Sequence, residues 1–271
     1  MGFTDYNDLI NEISNNGKLL AWDFAKVGAA AQGAGSWETL WKLSGSPGAG
    51  SDPAGTPGTQ YNAAANNVGG MIFSDVSPDT KHLVTFGGVS SQAGTLLLYD
   101  RLVGVGGISL ASTGNKTLNT AALPRYVSGI GVLPVLEVTT ATTNTAPVVS
   151  LNSYTNELDQ TGRAGGTFTF PAAATVLHYL CFLPLQASDK GVKAAATLNV
   201  ATAANAGAAN FVLIKPLAYL PLMANTWNER DLVLQLAGLP RVYDVACLCL
   251  AFLANGTTAP NIWGNIRIAY G

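Results

Sequence analysis

The sequence predicts an all-β protein: a jelly-roll-like β-sandwich built from two similar four-stranded units, preceded by an N-terminal helix and arm. Three observations predict it. From about Lys81 onward, short apolar runs alternate with turn residues, the pattern of a sandwich or barrel. A motif occurs twice: Leu123-Pro124-Arg125-Tyr126 opens the apolar run Val127–Val138, and Leu239-Pro240-Arg241-Val242 opens another that ends near Ala254. At nearly the same spacing, Thr145-Ala146-Pro147 leads into Val148-Val149-Ser150-Leu151, and Thr258-Ala259-Pro260 leads into Asn261-Ile262-Trp263.

In chain order, Tyr6, Leu9, Ile10 and Ile13 fall on one helix face opposite Asp8, Asn11 and Glu12. Thr4 or Asp5 can cap this helix, and Asn15-Asn16-Gly17 can end it in a left-handed turn. The helix either lies on its own sandwich or docks on a partner subunit. Leu19–Phe24 reads as a strand or extended arm. Ser36–Leu43 fits a capped helical turn through Trp37, Leu40 and Trp41, and equally a strand with Trp37, Thr39, Trp41 and Leu43 on one side. Ser44–Gly58, with Pro47, Pro53 and Pro57, is too poor in apolar surface to order itself. It is either a flexible loop or an arm ordered against a neighbouring subunit.

The helix, arm and loop occupy residues 1–70, and the sandwich 71–271, with repeat units over about 78–156 and 174–271. The first unit comprises His82–Phe86, Thr95–Val103, Gly129–Thr140 and Pro147–Tyr154. The second comprises Leu177–Leu185, Phe211–Leu220, Tyr243–Ala254 and Ile262–Tyr270, which matches His82 with His178 at the heads of the first strands. Phe168-Thr169-Phe170 adds a strand between them. Four strands cannot hide one face unaided, so the two units are expected to pack face to face, with two separate small sandwiches as the alternative. Val245–Ala254 and Val212–Leu222 are apolar on both faces, as central or subunit-covered strands would be. Pro216 and Pro221 push the second of these toward an edge.

Charged residues make up only 11% of the chain, where a soluble domain carries about 25%. Neutral small and polar residues must cover the surface, which suits a chain masked by neighbouring subunits. With a net charge of −2 and no basic run, there is no electrostatic footprint for nucleic acid. The longest apolar run, Val245–Ala254, is about half of the roughly 20 residues that a membrane helix needs. The N-terminus lacks the basic and apolar regions of a secretory signal. Cys181, Cys247 and Cys249 are odd in number and set in apolar runs, and so are expected as buried thiols of a cytoplasmically made chain.

No reactive constellation emerges, and neither an enzyme, a metal site nor a cofactor is expected. Gly114-Asn115-Lys116-Thr117 ends like a phosphate loop but lacks its glycine spacing, and Gly104-Val105-Gly106-Gly107 lacks the third glycine and the helix of a dinucleotide fingerprint. His82 and His178 have no converging carboxylates beyond Asp75 and Asp79, which lie in a turn. Asp100-Arg101 and Glu229-Arg230-Asp231 read as self-neutralising turn clusters. That leaves Glu137 as the one acid well inside an apolar strand, paired with an arginine such as Arg125 or Arg241 rather than facing a second carboxylate. Arg125 and Arg241, as repeat anchors, can hold loop carbonyls or an inter-unit carboxylate, or face a neighbouring subunit.

Thr4-Asp5-Tyr6-Asn7-Asp8-Leu9-Ile10, Trp37-Glu38-Thr39-Leu40-Trp41 with its Gly/Pro/Ser-rich sequel, Leu98-Tyr99-Asp100-Arg101-Leu102 and Leu123-Pro124-Arg125-Tyr126 together resemble a group of virion structural proteins of tailed bacteriophages. The resemblance spans most of the chain and brings no catalytic residue with it. It implies a head decoration (cement) or minor capsid protein of the virion, trimeric, bound to the major capsid protein and to copies of itself. Tyr6, Leu9, Ile10, Ile13, Trp37 and Trp41 are the candidate interface residues. The alternatives are a neck or tail structural protein, or a carbohydrate- or receptor-binding jelly-roll module of a fibre. Such a module would display exposed aromatics, for which Trp227, Trp263 and Tyr270 are candidates.

Overall fold

The computed structural model describes residues 2–29, 33–62, 66–170, 177–233 and 239–271; the expected start of the second unit at 174–176 lies outside them. It is all-β with one N-terminal helix, and its strands form three sheets, one of them closed into a barrel. Helix α1 (Tyr6–Ser14) is capped by Asp5, whose side chain accepts from the Asp8 amide at 2.9 Å. It lies on its own chain: Leu9 is buried with Val84 and Ala269, and Phe3, Ile13, Val233 and Leu239 pack around them.

The strands are β1 (Leu19–Val27), β2 (Ser36–Thr39), β3 (Gly45–Ser46), β4 (Thr59–Gln60), β5 (Lys81–Ser90), β6 (Gly94–Ser109), β7 (Gly114–Thr117), β8 (Leu133–Thr140) and β9 (Val148–Asn156). They continue as β10 (Thr167–Thr169), β11 (Tyr179–Phe182), β12 (Val192–Thr202), β13 (Ala208–Leu222), β14 (Asn228–Asp231), β15 (Arg241–Val242), β16 (Leu248–Ala254) and β17 (Asn261–Tyr270). Six strands close on themselves in the order β6-β13-β8-β11-β2-β16 and back to β6, every pairing antiparallel, with β4 added outside β6. One open sheet runs β14-β5-β17-β1-β3 with β15 also on β5, and the other runs β10-β9-β12-β7.

Three cores follow from the alternation of side chains along these strands. Leu97, Tyr99, Val135, Leu180, Val212, Ile214, Cys249 and Ala251 fill the barrel. Leu96, Leu98, Leu250 and Phe252 leave it on one side to meet Phe24, Phe86, Ile262 and Ile266 of the first open sheet. Val103, Leu136, Phe211 and Leu213 leave it on the other to meet Val149, Leu151, Leu198 and Val200 of the second. A barrel strand is therefore buried on both faces within one chain. This accounts for the doubly apolar runs of β13 and β16 without a covering subunit. The β8 pairing of β13 ends at Ile214, so Pro216 and Pro221 fall where β13 has β6 as its only ladder partner, and neither disturbs a second ladder.

The duplication takes a form other than the expected face-to-face pair of four-stranded units. Exchanging β1, β2, β5, β6, β7, β8 and β9 with β10, β11, β12, β13, β14, β16 and β17 reproduces the pairing pattern: β5–β17 becomes β12–β9, β6–β16 becomes β13–β8, β5–β14 becomes β12–β7, and β6–β13 maps onto itself. Around the barrel, strands of the two halves strictly alternate. Neither half owns a sheet, so the structure is neither the jelly-roll sandwich nor the two small sandwiches. The matching of His82 with His178 also fails, because the counterpart of β5 is β12, whereas His178 precedes β11, the counterpart of β2.

Residues 36–43 resolve as strand β2 followed by a turn, and the Gly/Pro/Ser stretch packs on the chain itself. Lys26 Nζ donates to the carbonyls of Leu43 and Gly48, Trp41 Nε1 to that of Ser51 at 3.0 Å, and the Gly106 amide to that of Ala54 at 2.9 Å. Polar and backbone bonds order it where apolar area could not. Gly106 is required here, since a Cβ would stand 2.1 Å from the Pro53 carbonyl oxygen.

Candidate functional site

Most ionisable groups suggested by the sequence are used up inside the fold. Asp100 and Arg101 lie in the middle of β6 and are fully buried; they are not a turn cluster. As consecutive strand residues they point to opposite faces. Arg101 enters the barrel and forms a two-pronged pair with Glu137 of β8, with Nη2 to Oε2 at 2.8 Å and Nη1 to Oε1. Its guanidinium carbon lies 4.5 Å from the Trp41 ring centroid and 4.7 Å from that of Tyr61, and Thr39 donates its hydroxyl to Glu137 at 3.1 Å. Glu137 thus has an arginine partner as expected, but that partner is Arg101, not Arg125 or Arg241. The pair is closed off from solvent, at 0% and 2% side-chain exposure.

Asp100 points outward from the barrel to Arg125, whose Nε and Nη2 reach its two oxygens at 2.8 and 2.6 Å. Arg125 also donates to the carbonyls of Tyr61 and Arg101, and the Cys247 amide donates to Asp100. Burial pushes the Asp100 carboxyl up against the opposing pull of Arg125. Arg125 therefore holds one loop carbonyl, that of Tyr61, and one strand carbonyl, that of Arg101, together with a carboxylate from its own half of the duplication. Arg241 is exposed and stacks on Tyr243 at 4.4 Å. The two motifs do meet, because the Tyr126 hydroxyl donates to the Arg241 carbonyl and its ring packs edge-on against Tyr243.

The other candidates disperse. Trp41 and Leu9, expected at a subunit interface, are 1% and 4% exposed inside this chain, while Trp37 and Ile13 are half-buried against their own core. Only Tyr6 and Ile10 of that set present their side chains outward. Burial lowers the pKa of both histidines, and His82 is tied through Nδ1 to the Leu239 carbonyl. The three cysteines are free and buried, with Cys247 and Cys249 sulfurs 3.8 Å apart on one strand face.

Three buried charges among the described residues escaped the sequence reading: Lys81 of β5, which pairs with Asp244 at 2.8 Å, Lys26 and Glu38. Lys26 of β1 lies between carbonyls, and burial lowers its pKa to about 8. Glu38 of β2 accepts a hydrogen bond from the Ala29 amide through Oε1, while its Oε2 is buried without a partner among the described residues; burial raises its pKa to about 7. A signal was available in Glu38: it sits between Trp37 and Leu40-Trp41 with no turn residue beside it.

A groove open to solvent lies on the outer face of the β14-β5-β17-β1-β3 sheet. Its volume is about 360 Å³, and it is lined by Asp23, Phe24, Ala25, Ser46, Trp227, Trp263, Gly264 and Asn265. Strand register explains the set. Asn265 of β17 lies opposite both Asp23 of β1 and Gly87 of β5, and Trp263 opposite Ala25 and Val89. Ala25 in turn pairs with Ser46 of β3. Trp227, just before β14, lies over Gly87, where a Cβ would come within 2.7 Å of its Cζ2. Trp227 and Trp263 are 47% and 49% exposed, whereas α1 covers the other end of this face through Leu9 on Val84 and Ala269. Two of the three aromatics named from sequence therefore converge. Tyr270 stands apart, with Lys18 5.9 Å from its ring. Comparison of the chain with protein-family models, with curated proteins and with solved structures found no match.

Proposed function

We propose that the chain is a structural protein of a tailed-bacteriophage particle, a head decoration or minor capsid protein that binds the major capsid protein and other copies of itself. The observation that carries the reading is a surface poor in charge on which large apolar side chains stay uncovered. Val127 is 72% exposed, Leu158 68% and Met223 65%, and Tyr6 and Ile10 form the outward face of α1. Such a surface binds by shape and buried apolar area, and a standard interface of roughly 1,600 Å² gives stable association. Repetition over a shell multiplies the effect. The resemblance to virion proteins supports the same reading.

The test is to add the purified chain to undecorated capsids and sediment them, with mass spectrometry of intact virions alongside. Stoichiometric co-sedimentation and presence in virions are expected; absence from both would end the proposal. A second reading, a receptor- or carbohydrate-binding module of a fibre, is favoured by one specific observation, the groove between Trp227 and Trp263.

A further inference from the structure

We infer that the groove between Trp227 and Trp263 binds a neutral saccharide, with a pyranose ring laid on an indole face and its hydroxyls turned to Asp23, Asn265 and Ser46. This names the ligand for the second reading and rests on it, but not on any place in a particle.

The placement of the two indoles is the first argument. Exposed tryptophan is costly in water, and single exposed apolar residues are unremarkable, but two on one sheet face around a concavity are not. Ala25 and Val89 flank Trp263, and the other neighbouring outward positions are polar: Asp23, Thr85, Asn265, Arg267 and Glu229. Gly87 faces Asn265 on one side and Glu229 on the other, and its missing side chain is what lets the Trp227 ring lie down on the sheet. Trp263 stands two residues along β17 from Asn265, so its Cα lies about 7 Å from that of Asn265, on the same face. Trp263 is thus carried by a strand and Trp227 is seated on Gly87, which limits the entropy lost on binding.

The chemistry of the lining then selects the ligand. An indole face takes an apolar, slightly positive surface, and the C–H face of a pyranose supplies one while its rim carries hydroxyls. A few polar groups around an apolar floor orient such a ligand. The Asp23 side chain makes no ion pair or hydrogen bond among the described residues, and its carboxylate accepts hydrogen bonds from hydroxyls while repelling phosphate and acidic sugars. The exposed Ser46 hydroxyl brings both a donor and an acceptor, and the Asn265 amide nitrogen a donor, while Asn265 Oδ1 is buried. At about 360 Å³ and open along one side, the groove has room for a ring and for a chain continuing beyond it.

The experiment titrates the purified full chain with maltohexaose, cellohexaose, xylohexaose and chitohexaose, following tryptophan fluorescence and ligand-observed NMR. Tetramethylammonium and inorganic phosphate are titrated in parallel. At least one neutral saccharide is expected to bind, with Trp227→Ala and Trp263→Ala each weakening it by about tenfold or more, Asp23→Asn weakening it less, and Tyr270→Ala leaving it unchanged. Gly87→Val keeps both indoles but displaces Trp227 from its seat and is expected to weaken binding as well. Unfolding midpoints confirm that each variant is folded. The inference is overturned if none of the four saccharides binds at millimolar concentration, if Trp263→Ala keeps full affinity, or if tetramethylammonium or phosphate binds better than every sugar. Capsid sedimentation is unaffected by these outcomes, so failure here and failure of the virion reading are separable.

Discussion

Glu38 makes the stability of this protein depend on pH in a direction opposite to that of a salt-bridged carboxylate. Its side chain is fully buried, Oε1 is satisfied by the Ala29 amide, and Oε2 faces no donor among the described residues. Burial therefore favours the neutral acid and moves the pKa from 4.5 in the unfolded chain to about 7 in the folded one. Below pH 4.5 both states are protonated and Glu38 costs nothing. Between 4.5 and about 7 the unfolded chain has released a proton that the folded chain retains, so stability falls as pH rises. Above about 7 both are ionised, and the full cost is present. Each pH unit between the two pKa values is worth about 1.4 kcal/mol, which makes that cost roughly 3 kcal/mol. Glu38→Gln keeps an acceptor for the Ala29 amide and removes the titration. In urea unfolding at pH 4, 6 and 8, the variant is expected to match the wild type at pH 4, to gain at pH 6, and to exceed it by about 3 kcal/mol at pH 8. Other titrating groups are common to both proteins and cancel in the difference. Parallel stability curves for wild type and variant would refute the reasoning, because the difference must change with pH if Glu38 holds its proton in the fold.

Two further predictions concern the buried pairs. Arg101→Met leaves Glu137 without its counter-charge inside the barrel and is expected to cost about 3–5 kcal/mol, as is Glu137→Met for the converse reason, while the double variant recovers most of that loss. Urea midpoints of the four proteins measure this coupling, and single losses below about 1 kcal/mol would show that the pair is not held as described. Arg125→Ala strands Asp100 and two carbonyls and is expected to cost about 3 kcal/mol or more, whereas exposed Arg241→Ala stays within about 1 kcal/mol. Equal losses would mean that the two motifs are anchored alike after all.

Much of the fold was legible because strands announce themselves by period and by their breaks, and Leu-Pro-Arg preserved a trace of the duplication. Strand order was not legible, since alternation tells which residues share a face and says nothing about which neighbour the ladder joins. The strand missing from the expected second unit shows the limit. In β12, four register irregularities break the pairing with β9, and Ala194-Ala195-Ala196 offers no bulky alternation, so its period is blurred. Without β12, the apolar run that precedes it, β11, takes its place as the match of β5, and the expected pairing of whole units follows from that mismatch. The charge doublet of β6 failed differently. Asp100-Arg101 was read as a turn from its composition alone, although Leu96-Leu97-Leu98-Tyr99 precedes it, Leu102-Val103 follows it, and none of the flanking residues is a turn former. Two adjacent charges inside an unbroken apolar run point to opposite faces, and each must find its own partner, which is how Glu137 and Arg125 come to serve different sides of one strand.

The same reasoning changes what the apolar composition says about partners. From sequence, strands apolar on both faces fit either a central position or a covering subunit. In the fold, the closed barrel uses one face of β6, β13 and β16 inward and gives the other to two flanking sheets, so the chain supplies its own mask and those strands carry no information about assembly. What still argues for a partner is a smaller set of side chains that the fold leaves outside: Tyr6 and Ile10 on α1, the loop residues Val127 and Leu158, and the indoles over Gly87 and beside Ala25. The indoles differ from the rest in having a carboxylate and an amide between them in a concavity. That is the physical reason to expect a small ring there, and a protein surface at the others.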